Sequence, residues 1–218
     1  MNSKIVIVDS GSANLRSIEK ALQKVGAETA VTDNQSVIAQ AKGIIFPGVG
    51  AFEQAMTILK NKDLPIILRE SIDAGIPFLG ICLGLQLLFT GSEERKQADG
   101  SFAQGLDVLA GQVKRFPPGL PVPHVGWNQV LPRRGHPLFA GIPSGTYFYF
   151  THSYFVEPQE EKVTLSVTDY NNCFTSAVAE KNLMGVQFHP EKSGPAGLRL
   201  LNNFLNIVKD PSLLKGEG

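Results

Sequence analysis

Cysteine, net charge and long apolar runs are all scarce in this sequence of 218 residues. Two cysteines supply neither a disulfide framework nor the thiolates of a four-cysteine zinc site. The 20 Lys and Arg residues balance 20 Asp and Glu residues, which excludes a protein that coats nucleic acid, because that binding needs a basic surface. No apolar run approaches the ~20 residues of a membrane-spanning helix. We therefore expect neither nucleic acid nor a membrane as a partner.

The remaining composition is that of an ordinary globular protein. Hydrophobic residues make up 43% of the chain, which argues against disorder. A chain of this length buries a full core, and no linker, low-complexity segment or repeat divides it, so we predict one domain over residues 1–218. The start, MNSKIVIVDS, lacks the basic region and apolar segment of a secretory leader, so a cytoplasmic location is expected.

The first ninety residues alternate short apolar runs with segments of helical periodicity. The run KIVIVD at 4–9 is β-branched and continuously apolar, which is typical of a strand buried on both faces. Further strands are predicted at 28–31, 43–46 and 77–81, and helices at 15–25, 52–59, 65–74 and 83–89. This alternation is the signature of an α/β fold with a parallel sheet and right-handed crossovers.

After residue 100 the pattern changes to short strands separated by turns, which indicates a largely antiparallel region. The segments are GQVKRF, HVGWNQV, TYFYFTHSYFVEP, VTLSVTD, FTSAVAE and LMGVQFHP, and a helical stripe at 198–208 closes the chain. The predicted fold class is α/β, with a mixed, mostly parallel sheet, helices on both faces and an antiparallel β-rich excursion in the second half.

The sharpest local feature is the pentapeptide GICLG at 80–84, where a predicted strand gives way to a helix. It has the G-x-nucleophile-x-G form of a nucleophile elbow around Cys82. So tight a turn brings the residues two before and two after the nucleophile together, so only small residues fit there. The thiol then emerges at the carboxyl edge of the sheet, and the amides of the following helix favour its thiolate form. The alternative is that Cys82 is a small buried hydrophobic residue on a glycine-rich turn.

Of the four histidines, His189 has the best setting for a base toward Cys82. It ends an apolar strand in QFHPEK, and Glu191 lies two residues on, on the same side of an extended segment. A carboxylate there orients the imidazole and stabilises its protonated form, as the third member of a catalytic triad does. The alternative is a surface turn with an incidental His–Glu pair.

The other cysteine and histidines carry weaker signals. Cys173, in YNNCF, has no elbow around it and is expected to be structural. His136 lies in the polar turn RRGHPLF and is expected to be exposed. His124 and His152 flank aromatic strands and are either structural or pocket residues.

Acyl transfer also requires donors for an oxyanion. The segment PGVG at 47–50 follows the third predicted strand and opens at the same sheet edge as Cys82, so its backbone N–H groups are candidates. The amide of Leu83, which follows the nucleophile, is the other natural donor. The alternative for PGVG is a plain strand-to-helix turn.

Together these features resemble the class I, or triad-type, glutamine amidotransferases. The resemblance rests on the glycine turn, a G-x-C-x-G-x-Q elbow and a late H-P-E, and it spans residues 5 to about 207. It implies a flavodoxin-like class I glutamine amidotransferase fold, no metal, no cofactor, and hydrolysis of L-glutamine to glutamate and ammonia through a Cys82 thioester. The implied roles are nucleophile for Cys82, acid/base for His189, orienting group for Glu191, and oxyanion donors for Val49 and Leu83.

Further motifs narrow the resemblance to the branch of this family that serves histidine biosynthesis. They are NLRSIEKAL at 14–22, PGVGAF at 47–52, PHVGWN at 123–128, YFTHSY at 149–154 and GVQFHPEKS at 185–193. This branch implies a separate (β/α)8-barrel cyclase subunit that receives the ammonia through an internal channel, in a heterodimer. The implied glutamine-binding residues are Gly50, Gln86, Glu94, Ser153 and Tyr154. The implied residues at the cyclase interface are Asn14, Arg16, Trp127 and Lys192.

Several alternatives stay open at this point. Another amidotransferase, for anthranilate, pyridoxal phosphate or nucleotide synthesis, is the nearest; a cysteine hydrolase or chaperone-like protein and a non-catalytic binding module are more distant. On residue type alone, Trp127 and the aromatic strand at 147–155 are core-packing residues. The segment DSGSAN at 9–14 departs from the family pattern D-Y-G-x-G-N, which bears on the conformation of that loop.

Overall fold

The computed structural model describes residues 4–11, 14–96, 102–119 and 121–215. Its first part alternates parallel strands with helices, as predicted. The strands are β1 (Lys4–Val8), β2 (Glu28–Thr32), β3 (Gly43–Gly48) and β4 (Phe78–Cys82). The helices are α1 (Leu15–Lys24), α2 (Gln35–Ala39), α3 (Phe52–Asn61), α4 (Leu64–Asp73) and α5 (Leu83–Gln86).

The second half is richer in strands, and most of them pair antiparallel. They are β5 (Phe89–Lys96), β6 (Phe102–Gln104), β7 (Leu109–Arg115), β8 (His124–Pro132), β9 (Thr146–His152), β10 (Tyr154–Pro158), β11 (Thr164–Asp169), β12 (Cys173–Glu180) and β13 (Leu183–Val186). The chain then turns through a 3₁₀ segment, Pro190–Lys192, into α6 (Gly194–Lys209).

Within the described ranges, one mixed sheet has the order β2-β1-β3-β4-β13-β12-β10-β7-β5-β6, with β11 and β8 extending from β12 and β9 pairing with β8. The run from β2 to β13 is parallel, in the order typical of flavodoxin-like folds. Strand β4 lies between β3 and β13, so the loops that follow these three strands meet at one edge. The register pairs Gly48 with Cys82 at this edge.

Helices cover both faces of the parallel strands because side chains alternate between the two faces. On one face Ile5, Ile7 and Ile45 pack with the apolar stripes of α1 and α6. On the other face Val6, Val8 and Phe46 pack with α3, α4 and α5. Both faces of the parallel strands are therefore shielded from water by helices, which explains the continuously apolar sequences of these strands. The predicted α/β class, with helices on both faces and a β-rich second half, is confirmed.

Two sequence predictions were wrong in detail. The helix expected at 83–89 ends after one turn, at Gln86, and Phe89 begins β5. Leu87, Leu88 and Phe89 are fully buried, and a short apolar run gives no periodicity that distinguishes a helix from a strand. The segment expected as a single strand at 146–158 is broken at Ser153, where the chain leaves β9 and enters β10 beside β7.

In the described residues, no helix is both long and apolar enough to cross a membrane. The same ranges contain no cluster of three His, Cys, Asp or Glu side chains with the spacing of a metal site. In the segment 9–14, residues 12 and 13 lie outside the part of the chain that the structure describes.

Candidate active site

Cys82 ends β4 in a strained backbone conformation, with φ 55° and ψ −111°. A non-glycine residue adopts positive φ only at an energetic cost, and such residues concentrate at functional sites. The two glycines of the pentapeptide make the turn sterically feasible. A Cβ added to Gly84 would lie 1.8 Å from the Phe46 carbonyl oxygen, and one added to Gly80 would lie 2.9 Å from the Leu85 nitrogen. The predicted elbow geometry is therefore present.

Leu83 is the first residue of α5, so its N–H has no partner within the helix and is available to a ligand. Gly48, at the end of β3, packs closely against it: an added Cβ there would lie 3.0 Å from the Leu83 Cβ. Val49 follows directly and is 40% exposed. The structure thus brings Val49 and Leu83, the two predicted oxyanion donors, to the same edge as Cys82.

His189 and Glu191 form a buried ion-pair geometry at the end of β13. Nδ1 of His189 lies 2.9 Å from Oε1 of Glu191, and the two side chains are only 4% and 1% exposed. The loop is held to β9, because the His189 backbone N–H donates to the Tyr149 carbonyl at 2.9 Å and Ser193 accepts the Tyr149 N–H at 3.0 Å. This burial excludes the alternative of an incidental surface pair.

The electrostatics of His189 favour the protonated imidazole. Burial alone lowers the pKa of His189, but the neighbouring Cys82 sulfur and the Glu191 carboxylate outweigh that and raise it to about 10. Nε2 of His189 is buried and makes no hydrogen bond to any of the described residues. Catalytic hydrogen bonds often tighten only when substrate is bound. The resting state supported here is a protonated His189 imidazole held by the Glu191 carboxylate.

A polar cavity of about 280 Å³ opens onto Cys82. Its lining contains all five predicted glutamine-binding residues, Gly50, Gln86, Glu94, Ser153 and Tyr154, together with Val49, Cys82 and Leu83. It also contains Pro123, Thr151 and His152, to which the sequence argument assigned no glutamine-binding role. A polar cavity of this size beside a nucleophile fits a small amino acid better than a large apolar ligand.

Two of the lining residues are already held by the protein. One Glu94 oxygen accepts the backbone N–H of Phe52 at the start of α3, which leaves its other oxygen for a ligand. The Tyr154 carbonyl accepts hydrogen bonds from Gln86 Nε2 at 2.9 Å and His152 Nδ1 at 2.7 Å. Burial raises the pKa of the Tyr154 phenol, so the hydroxyl is neutral and able to donate.

His189 lines a second, much smaller cavity of about 10 Å³. Asn14, Glu191 and Lys192 also line it. A space of this size is near the minimum that holds one water molecule. Val49 lines both the cavity in front of Cys82 and the one beside His189 and Glu191.

The four residues predicted for the partner interface are all on the surface. Asn14, Arg16 and Lys192 are exposed, and Trp127 is 55% exposed, which excludes the core-packing alternative for the tryptophan. Trp127 stands opposite Tyr149 in the β8–β9 pair, and the Lys192 ammonium lies 5.7 Å from the Tyr149 ring centre. Asn14 and Lys192 are thus near the triad, whereas Trp127 belongs to an exposed aromatic face of β8 and β9.

The structure also places the three other histidines and the second cysteine. His136, expected to be exposed, is buried, because its Nδ1 accepts the Leu138 N–H at 3.0 Å and caps a 3₁₀ turn. His124 and His152 are buried and joined by a hydrogen bond of 3.1 Å, and His152 also lines the larger cavity. Cys173 is exposed and lies outside the residues that line either cavity.

Replacing Glu191 with glutamine tests the triad electrostatics. Because the carboxylate raises the pKa of His189, its loss should lower that pKa and move the alkaline limb of hydrolysis at Cys82 from near pH 10 to lower pH. The maximal rate should fall about 10²-fold. The measurement is a pH–rate profile for Glu191→Gln beside the exposed control Glu70→Gln. An unchanged alkaline limb would show that Glu191 does not act on His189.

Comparison with known proteins agrees with this geometry. The family model for class I glutamine amidotransferases matches residues 6–208. The imidazole glycerol phosphate synthase subunit HisH of Moorella thermoacetica is 51% identical over 205 residues, which cover 94% of this chain and 95% of that protein. The HisH subunit of Symbiobacterium thermophilum is 47% identical over 208 residues, covering 95% and 96%.

Solved structures show the same fold at low sequence identity. PurLQS from Thermotoga maritima superposes with a TM-score of 0.74 at 16% identity, covering 94% of this chain and 99% of that one. A glutamine amidotransferase from the same organism has a TM-score of 0.65 at 16% identity, covering 100% and 90%. The match to the family model across nearly the whole chain and the high identity to HisH subunits lead to one conclusion: this chain belongs to the class I glutamine amidotransferases, in the HisH group of that family.

Proposed function

We propose that this chain is the glutaminase subunit of imidazole glycerol phosphate synthase, with Cys82, His189 and Glu191 as its catalytic triad. The observation that carries the proposal is the strained Cys82 at the mouth of a polar cavity, at the same sheet edge as a buried His189–Glu191 pair. The identity of 51% to a HisH subunit supports histidine biosynthesis over the other amidotransferase pathways.

The reaction begins with attack of the Cys82 thiolate on the side-chain carbonyl carbon of glutamine. A C–S bond forms and the carbonyl electrons move to oxygen, where the amides of Val49 and Leu83 stabilise the oxyanion. Collapse of this intermediate breaks the C–N bond, and His189 gives its proton to the departing nitrogen, which leaves as ammonia. The product of this half-reaction is a γ-glutamyl thioester on Cys82.

Hydrolysis of the thioester uses the same groups in reverse. His189, now neutral, takes a proton from water as the hydroxide equivalent adds to the thioester carbon. The second oxyanion collapses, the C–S bond breaks, and Cys82 returns as a thiolate beside the imidazolium. Glu191 stabilises the imidazolium at the start and end of the cycle, which is the role its 2.9 Å contact fits.

Substrate recognition uses the larger cavity. The Gln86 oxygen and the free oxygen of Glu94 are acceptors suited to the α-ammonium of glutamine, whereas Ser153, Tyr154 and the backbone of Gly50 surround the α-carboxylate. Because acceptors and donors are both present, the cavity suits a zwitterionic amino acid.

The partner is a cyclase subunit with a (β/α)8 barrel, in a cytoplasmic heterodimer. It combines ammonia with a phosphoribulosyl aminoimidazole-carboxamide intermediate (PRFAR), and the products are imidazole glycerol phosphate and aminoimidazole-carboxamide ribotide (AICAR). Asn14, Arg16, Trp127 and Lys192 are the proposed docking residues, because each is exposed and Asn14 and Lys192 line the cavity beside the triad. The chain forms a single amidotransferase domain over residues 1–218, and no cofactor or metal takes part in the proposed glutaminase chemistry.

The test is transfer of labelled nitrogen. In the presence of the cyclase partner and its ligand, ¹⁵N from the side-chain amide of glutamine should appear in imidazole glycerol phosphate. The chain alone should hydrolyse glutamine slowly, because ammonia released without coupling to its use would be lost to water. Steady-state glutaminase of the free chain equal to that of the liganded complex would contradict partner dependence. Absence of label transfer in the complex would overturn the proposed function.

A further inference from the structure

One buried side chain beside the nucleophile has no role in the mechanism above. Gln187 is fully buried, two residues before His189, and does not line the 280 Å³ cavity. Its Nε2 lies 3.7 Å from the Cys82 sulfur, and its Oε1 lies 3.1 Å from Gln86 Nε2. The Gln187 amide therefore contacts both the nucleophile and a side chain of the substrate cavity, and its orientation decides which of its atoms meets each of them.

A fixed backbone carbonyl determines which way both amides face. The Tyr154 carbonyl is an acceptor only, so the Gln86 atom 2.9 Å from it must be the NH₂ group. His152 Nδ1, at 2.7 Å, must likewise carry its hydrogen and donate to the same oxygen. With both acceptor positions of this carbonyl filled, a flipped Gln86 amide would set two oxygens against each other.

The orientation of the Gln86 amide in turn determines that of the Gln187 amide. Because the second N–H of Gln86 points at Gln187, the facing atom of Gln187 must be its oxygen. The NH₂ group of Gln187 is thereby turned toward Cys82. Gln86 lines the cavity, and its oxygen is the amide atom that neither of these contacts uses.

We propose that Gln187 is a further catalytic residue of the glutaminase reaction, which donates a hydrogen bond from Nε2 to the Cys82 sulfur while its Oε1 locks Gln86 as an acceptor for the substrate α-ammonium. This inference rests on the proposed function. The hydrogen bond is strong when the sulfur is anionic and weak when the sulfur carries the acyl group. It therefore acts in the free thiolate and again when hydrolysis breaks the C–S bond and the electron pair returns to sulfur.

The two contacts of Gln187 are separable by substitution. Gln187→Glu keeps an oxygen for Gln86 but places a carboxylate, which has no hydrogen to donate, against the sulfur. Gln187→Met removes both contacts at similar size. The first variant should lower kcat with little change in KM, whereas the second should lower kcat and raise KM. We expect kcat to fall about 10-fold to 10²-fold in both.

The experiment compares both variants with the exposed control Gln159→Glu, all in a Cys173→Ser background so that Cys82 is the sole thiol. Alkylation of Cys82 by iodoacetamide is followed against pH, and its midpoint should move to higher pH in both Gln187 variants. The ammonia-dependent synthesis of each complex with the cyclase should match that of the parent, which shows that the fold and the docking surface are intact.

The outcomes separate this inference from the proposed function. A parental alkylation profile in both variants would overturn the inference, even if glutaminase fell, since the loss would then be structural. If one variant fails to fold, the alkylation profile of the other decides. Loss of all glutamine-dependent synthesis in the unmodified complex would instead count against the proposed function, and the alkylation profile would still test the contact between Gln187 and Cys82.

Discussion

Replacing Cys82 with alanine should reduce glutamine-dependent synthesis of imidazole glycerol phosphate by about 10⁴-fold or more. In the proposed mechanism the sulfur forms the thioester, and no other thiol lies in the described site. The methyl group of alanine leaves the elbow backbone and the docking surface as they are. Synthesis by the same complex from added ammonium salt should therefore stay within about twofold of the parent, because the cyclase then needs no thioester chemistry.

The other cysteine provides the matched control. Cys173 is exposed at the start of β12, so Cys173→Ala should leave both activities unchanged. The measurement is initial rate with glutamine and with ammonium for the parent and both variants. Glutamine-dependent turnover that survived Cys82→Ala would refute the thioester mechanism.

Replacing Gly84 with alanine should be the most damaging change to the fold of the site. The added Cβ would lie 1.8 Å from the Phe46 carbonyl oxygen, a distance that real structures do not permit. Both elements in contact are backbone, α5 on one side and β3 on the other, so no flexible side chain can move aside. We expect a loss of about 3 kcal/mol or more in the free energy of unfolding, or roughly 10 °C in Tm.

The same change should abolish glutamine hydrolysis in the protein that remains folded, because α5 carries Leu83 and Gln86 next to the displaced residue. Gly135→Ala is the control, since a Cβ there meets nothing within 4 Å. Thermal unfolding of the two variants, followed by circular dichroism, makes the comparison. A Gly84→Ala protein as stable as Gly135→Ala would show that the elbow is far more plastic than its geometry indicates.

The parts of the site that could be predicted from the sequence are those set by local backbone chemistry. GICLG predicts an elbow because steric exclusion at Gly80 comes from Gly84 and Leu85, within a few residues of the chain. The exclusion at Gly84 comes instead from the Phe46 carbonyl on β3, a contact that only the folded sheet supplies. His189 and Glu191 were paired from an i, i+2 spacing, which also needs no knowledge of the rest of the fold. The alternation of strands and helices over 4–82 followed from apolar patterning in the same way.

What sequence reasoning missed depends on contacts between distant segments. Gln187 lies in the motif that contains His189, and its contact with Cys82 forms only because β13 pairs with β4 in the folded sheet. Strand β5 was not predicted because its neighbour in the sheet, β7, comes from a later segment, so the local sequence gives no sign of the pairing. His136 was predicted to be exposed because it lies in a polar turn. In the structure its ring is buried and accepts the Leu138 N–H, a contact that the polar sequence does not indicate.

The position of β13 has a consequence for how the protein folds. Strand β4 receives its neighbour on one side from residues 43–48 and on the other from residues 183–186. Gln187 and Cys82 are 105 positions apart in the chain, so closing this contact carries the entropy cost of a long loop. During synthesis the elbow leaves the ribosome long before the strand that bears the base, since chains emerge from the N-terminus. Under the proposed mechanism, Cys82 therefore lacks its base through most of translation, and the triad is complete only after β13 has joined β4.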